Sequence, residues 1–210
     1  MFDFNLMAKL LTVPGIVIGF AFHEFAHAWV ADRLGDPTPR NQGKLTFDPR
    51  AHIDPIGFIL ILIVGFGWAK PVQTNPSYFK NPRRDDTLVS LAGPAMNLVI
   101  AIFFAIILKL ILSSNMAFDK SVYDSIKQLF TATIYINVLL FVLNMIPFPF
   151  YDGYFILRNY FQTWRYQIFA VLEQYSLVIF VILAMTGVLS RIISPIVREI
   201  FVIIIRTVNL

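Results

Sequence analysis

The sequence predicts an all-α polytopic membrane protein with about five to six membrane helices, on two grounds. Of its 210 residues, 57% are hydrophobic and 14% are charged, whereas a water-soluble domain carries about 25% charged residues. The apolar residues also fall in long runs, several near the ~20 residues needed to cross a bilayer. Twenty-one Phe and eight Tyr suit lipid-facing and interfacial positions. The formal net charge of +4 does not point to nucleic acid, because the basic residues sit in loops beside apolar runs, as the positive-inside bias requires. Cysteine is absent, so disulfides and thiolate ligands are excluded and any metal must be held by His, Asp or Glu.

The first run, Leu10 to Ala31, is loosened by Pro14-Gly15 and closed by Asp32-Arg33. Only Lys9 stands against Asp3 ahead of it, and the run continues to Val30, which reads as a retained span and not a cleaved signal peptide. Leu34 to Asp54 carries Asp36-Pro37, Pro39 and Asp48-Pro49 and reads as loop. Ile56 to Trp68 is apolar but only about thirteen residues long, interrupted by Gly57, Gly65 and Gly67. That is the length of a re-entrant or interfacial piece. After a second polar stretch, Lys70 to Asp86, four longer runs follow: Leu88–Leu112, Phe130–Phe150, Ile168–Leu189 and Ile192–Val208. Pro195, Arg198-Glu199 and Arg206 interrupt the last, which fits an interfacial helix as well as a span. There is no internal repeat.

Charge placement orients the chain. Arg33, Arg40, Lys44, Arg50, Lys70, Lys80, Arg83 and Arg84 fall between the first and second long runs, against Lys120 and Lys127 in the next connection. The first region is therefore expected in the cytoplasm. The arrangement holds only if Ile56–Trp68 enters and leaves on one side.

Inside the first run lies His23-Glu24-Phe25-Ala26-His27. On a helix, residues four apart share a face, so the two imidazoles can grip one zinc ion while Glu24 takes a proton from an activated water. In a soluble helix the pattern arises by chance. Inside a span, ionisable groups are expensive and imply a function. A catalytic zinc site needs a third protein ligand, and Asp152 is the outstanding candidate: Pro147 and Pro149 stop the helix before it and Gly153 frees the backbone after it. Tyr151-Asp152-Gly153 alone would read as a turn. Membrane parity favours the ligand, because with a re-entrant Ile56–Trp68 the aspartate emerges on the same side as His27.

Other polar residues carry weaker signals. His52, in His52-Ile53-Asp54-Pro55, is a spare ligand, a group for the substrate backbone, or a plain loop histidine. Asn97 and Asn144 could donate to a developing oxyanion or bond helix to helix. Gly93-Pro94 fits close helix packing, and Glu173 fits a polar seam or the interface.

Three of these stretches together resemble the signature regions of site-2 proteases, zinc metalloproteases that cut substrates within the membrane: His23 to His27, Ala92-Gly93-Pro94 with Asn97, and Asn144 through Asp152-Gly153. The resemblance covers roughly residues 13–153 and is nearest to the compact prokaryotic branch, which Gly67-Trp68-Ala69-Lys70-Pro71-Val72 and His52-Ile53-Asp54-Pro55 also fit. It implies a core of three helices, Zn2+ on His23, His27 and Asp152, Glu24 as general base, and a membrane-inserted strand or hairpin region at Ile56–Trp68. It also implies a prokaryotic inner membrane, with the site towards the cytoplasm. Pro149-Phe150-Tyr151 replaces the family's more usual Pro-Pro-Leu, and no segment is long enough for a PDZ domain.

The expectation is therefore one membrane-embedded domain over 1–210, with a catalytic core at about 10–155 and added C-terminal helices at about 166–208. Its activity would be hydrolysis of transmembrane protein or peptide substrates, with Asn144 supporting the oxyanion and His52 or Asn97 in substrate or auxiliary roles. The lipid bilayer is a partner, nucleic acid is not, and oligomer formation is open. The competing class is a non-enzymatic metal-binding membrane protein or metal transporter, which would need further ionisable groups along a path. A metal-dependent oxidase would want more than the three histidines present.

Overall fold

The computed structural model describes residues 6–64, 67–114, 119–162 and 166–210; Asp3 and Gly65 lie outside them. The chain runs through α1 (Leu6–Arg33), two single-turn helices α2 (Thr38–Asn41) and α3 (Pro49–His52), α4 (Pro55–Val64), and a 3-10 turn at Pro76–Tyr78. Then come α5 (Pro82–Ser113), α6 (Lys120–Asn144), α7 (Asp152–Phe161), α8 (Gln167–Met185) and α9 (Val188–Thr207). Among the described residues four helices are long and apolar enough to cross a membrane: α1 from Leu10, α5, α6 and α8. Two further helices do not meet that standard, the segment read as re-entrant and the last run, read as interfacial or spanning. α4 has 10 residues, about 15 Å at 1.5 Å per residue, half a hydrocarbon core. α9 carries Arg191, Arg198, Glu199 and Arg206 opposite a face of Ile193, Val197 and Ile204, which is buried in the bundle.

Local sequence explains the ends that matter. α1 stops in a Schellman turn at Gly35 (φ 106°), where the Asp36 N–H reaches back to the Ala31 carbonyl at 3.0 Å. The buried Asp36 carboxylate then accepts from the Thr38 and Asn75 N–H groups, tying the two loops together. Pro82 opens α5, and Asp85 reaches back to the Asn81 N–H at 3.0 Å.

The membrane-inserted strand is a correction. Ile56 to Val64 is helical, and the only β pairing among the described residues is a single bridge, Ile53 to Ala69. A continuous apolar run has no two-residue alternation to pin one strand face. Gly57 lets the return chain close onto the helix, since a Cβ there would overlap the Trp68 carbonyl oxygen. The hairpin-like course does exist. The Lys70 N–H donates to the His52 carbonyl at 2.7 Å, so the segment begins and ends at one place, as the parity argument requires.

The bundle is built on α1, α5 and α6, which pack on one another. An apolar core of Ala101, Ala105, Leu108, Ile134, Val138 and Val142 fills α5 against α6, and α9 covers it. α1 meets α6 through small residues. A Cβ on Gly15 would lie 2.9 Å from Thr133 Cα, and one on Gly19 2.6 Å from Leu140 Cδ1. Such close approach is how helices pack where lipid removes the hydrophobic drive.

Candidate metal centre

Gly15, Gly19, His23 and His27 stand four residues apart on α1, so the face that packs tightest continues directly into the histidine pair. Both rings are buried. His23 Nδ1 lies 2.7 Å from Asn97 Oδ1, and His27 Nδ1 lies 2.7 Å from the Val89 carbonyl oxygen. Both partners are oxygens that can only accept, so each Nδ1 carries the proton and each Nε2 keeps a free lone pair. These Nε2 atoms are 3.0 Å apart. Asp152 Oδ2 completes the triangle at 3.2 Å from His23 Nε2 and 3.4 Å from His27 Nε2.

That triangle tests whether a cation fits. Three lone-pair atoms converge, and Asp152 Oδ2 is buried with no hydrogen-bond donor. The edges match the roughly 3.3 Å between neighbouring ligands of a tetrahedral ion with bonds near 2.0–2.1 Å. Among the described residues His23, His27 and Asp152 are the one group of His, Asp or Glu so placed. Asp152 gets there because α6 ends at Asn144 and Gly153 lets the first turn of α7 press back on it, a Cβ there lying 2.5 Å from the Met145 carbonyl. Gly93 has a comparable reason to be glycine. A Cβ would overlap His27 Nε2 and come within 2.6 Å of His23 Nε2.

A cavity of about 730 Å³ opens beside this group, reaching His23 and Glu24. Ile61, Leu62, Gly67, Trp68, Ala69 and Pro71 form one wall, Leu139, Leu140 and Leu143 of α6 another, and Leu177 and Phe180 of α8 a third. Glu24 Oε2 accepts from the Val72 N–H at 2.8 Å, which anchors one oxygen of this cavity-lining carboxylate. Burial pushes the Tyr151 phenol in the wall up to about 12, so it stays neutral.

The remaining sequence candidates separate. Asn144 lines the cavity, with its amide N–H donating to Leu140 O at 3.0 Å. Asn97 is wholly buried, and its Nδ2 donates to Gly19 O and Asn137 Oδ1, each at 3.1 Å. It therefore orients His23 and has no donor left for an oxyanion. His52 is also wholly buried and apart from the metal group; its Nε2–H donates to Thr46 O at 2.8 Å, so it braces the loop. Glu173 accepts from the Tyr154 hydroxyl at 2.7 Å, a polar seam between α7 and α8. Sequence reasoning missed Asn137, an amide inside an apolar run whose isolation was itself a signal. It also missed the Val89 carbonyl and the Val72 N–H, which as main-chain groups have no residue signature.

Comparison with known proteins identifies the family. Residues 11–129 and 111–187 match Peptidase family M50. The chain is 37% identical over 194 residues to "Putative zinc metalloprotease YwhC" of Bacillus subtilis, covering 92% of this chain and 88% of that protein. It is 31% identical over 194 residues to "Putative zinc metalloprotease Rip2" of Mycolicibacterium smegmatis, covering 87% and 69%. No solved structure matches significantly. The matched length, the identity to named zinc metalloproteases and the apolar helices place the chain in peptidase family M50, the site-2 family of intramembrane zinc metalloproteases.

Proposed function

We propose that His23, His27 and Asp152 hold the zinc ion, that Glu24 is the general base, and that the cavity beside them receives an unwound stretch of a membrane-embedded substrate. The observation that carries this is the convergence of three lone-pair atoms at 3.0–3.4 Å with Asp152 Oδ2 otherwise lacking a donor. Bound zinc supplies Lewis acidity, acidifying a water and polarising a peptide carbonyl. The chain's own groups do the rest. Glu24, steadied through Oε2 by Val72, takes one proton from the attacking water and delivers it to the leaving nitrogen. A carbon–oxygen bond forms, the carbon–nitrogen bond breaks, and the second water proton is lost as the new carboxyl group ionises. Asn144 has a second amide N–H that is not the one given to Leu140, and we assign it to the developing oxyanion.

The mainly apolar cavity wall suits aliphatic and aromatic side chains of a transmembrane segment, which is the substrate class we assign. Residues 10–155 form the catalytic part of one membrane-embedded domain, and α8 and α9 are additions to it. The basic residues of the loops from Arg33 to Arg84 support a site towards the cytoplasm of a prokaryotic inner membrane. Single cysteines placed in the cysteine-free chain at positions 42 and 124 test this: a membrane-impermeant thiol reagent should reach the first only in inverted vesicles and the second only in right-side-out ones.

Metal content of the detergent-purified chain tests the ligands. About one zinc per chain is expected in wild type, with strong loss in His23→Ala and in Asp152→Ala. Zinc retained in Asp152→Ala would remove the aspartate from the site.

A further inference from the structure

One wholly buried amide in the spans, that of Asn137, has no part in this mechanism. Asn137 sits in the middle of α6, wholly buried, where an amide is costly unless fully bonded. Its position touches the one ambiguity in the metal centre. His23 can ligate through Nε2 only with its proton on Nδ1, and that proton goes to Asn97 Oδ1 at 2.7 Å.

An amide has two faces. Turned over, Asn97 would offer its NH2 to His23 Nδ1, which could then only accept; the ring proton would move to Nε2 and close it to a metal. Nothing within Asn97 chooses between the two. Its neighbours do, because the observed face lets Nδ2 donate to Asn137 Oδ1 and Gly19 O. Reversal would set Asn97 Oδ1 against two oxygens. Asn137 is fixed in the same way, its own Nδ2 donating to Thr133 O at 2.9 Å and Gly15 O at 3.3 Å, which leaves Oδ1 turned towards Asn97. The relay runs across three helices and ends on backbone carbonyls, which cannot turn over. Gly15 and Gly19 make it reachable by letting α6 come down onto α1.

We infer that Asn137 is a positioning residue for the metal centre, acting through Asn97 to hold His23 in the tautomer that leaves Nε2 free for a cation. The inference rests on His23 being a ligand, as proposed above.

The test is zinc affinity of the full chain in detergent, read by competition with a chromophoric chelator. Wild type, Asn137→Leu, Asn97→Asp and the double variant are compared, with His23→Ala as reference. Asn97→Asp puts an oxygen towards His23 whichever way it turns, at the cost of an oxygen facing Gly19 O and Asn137 Oδ1, so in that background Asn137 selects nothing and its removal only relieves an opposed pair. Asn137→Leu should weaken zinc about 10- to 100-fold in the wild-type background and by no more than about twofold in the Asn97→Asp background. The visible spectrum of the cobalt(II)-loaded chain should change on Asn137→Leu in the first background alone. Equal losses in both backgrounds would make Asn137 a packing residue, and unchanged affinity would give it no role; either overturns the inference. Zinc bound normally by His23→Ala would instead refute the ligand assignment itself. Should Asn137→Leu not fold, Asn137→Ser, too short to reach Asn97, enters the same cycle with the same outcomes.

Discussion

α1 and α8 are both apolar enough to cross a bilayer, yet they are held in opposite ways. In the most apolar stretch of α1, 44% of residues are buried, against 11% in α8. The inward face of α1 is a ladder of two glycines and two histidines, each within contact of another helix and each polar atom bonded or aimed at the metal position. The inward face of α8 offers Ser176 and Phe180, with Phe180 set beside Phe148 and Tyr151 at centroid distances of 6.4 and 6.3 Å. The contrast is between a scaffold with no slack and a lipid-facing wall that rests on aromatic contact. Chemistry needs ligands fixed to fractions of an ångström. A wall that meets substrate does not.

The largest effect that would break this comparison is chemical. Glu24→Gln keeps the shape and length of a cavity-facing α1 side chain but cannot hold the transferred proton. Cleavage of a transmembrane peptide should fall by about 10²- to 10⁴-fold, with zinc content and melting temperature unchanged. A fully active variant would remove Glu24 from the mechanism.

Next comes the packing of α1 itself. Gly19→Ala forces a methyl to within 2.6 Å of Leu140 Cδ1 and 3.0 Å of Asn137 Oδ1. Overpacking of this kind costs about 1–3 kcal/mol, and here it also pushes on the amide relay. Denaturant unfolding should show the loss of stability, and the chelator assay a weaker zinc site. Phe180→Ala on α8 should do the reverse: a shift in KM for substrates with differing side chains at the cleaved bond, and little change in zinc affinity. If Phe180→Ala loosens zinc as much as Gly19→Ala does, the two helices are not different in kind.

Much of this division could be read from the residues. The His23–His27 spacing and the Asp152 turn point to the three residues whose lone-pair atoms converge, because each is a side chain of rare type in an apolar setting. The helix ends were less legible. The run Phe130–Phe150 is mainly apolar, but α6 begins at Lys120 and stops at Asn144, since polar residues before the span still propagate a helix, while Pro147 and Pro149 withhold ladder donors after it. Ile56–Trp68 is short enough to mark as re-entrant, yet the helix over Pro55–Val64 is not legible in a continuous apolar run, which fits a buried strand as well as a helix. The groups that fix the histidine tautomers and Glu24 were least legible of all, since a carbonyl at Val89 or an N–H at Val72 is present whatever the side chain.

A smaller effect sharpens the comparison at its loop end. His52 is buried with Nδ1 unpartnered, and burial first of all holds its pKa below the ordinary histidine value, with Glu24, Lys44 and Asp48 as the charged groups around it. The unfolded chain therefore binds this proton at a higher pH than the folded one, and stability rises with pH across that window. As pH falls through the ordinary histidine range near 6.5, the melting temperature should drop. His52→Gln should flatten that slope without changing zinc stoichiometry. An unchanged slope would assign the titration elsewhere.

The smallest expected effect lies on the seam that joins the two regions. Tyr154 stands two residues after Asp152 on α7, and its hydroxyl donates to Glu173 on α8. Tyr154→Phe keeps the buried ring and removes that donor, so it should cost about 0.5–1.5 kcal/mol of stability and leave zinc affinity unaltered, because Asp152 is placed by Gly153 against Met145 and not by α8. Chelator competition on this variant separates two designs. If affinity holds while unfolding becomes easier, the metal face is independent of the outer wall. If affinity falls about tenfold or more, the wall helps to hold Asp152 in place, and α8 belongs to the catalytic scaffold.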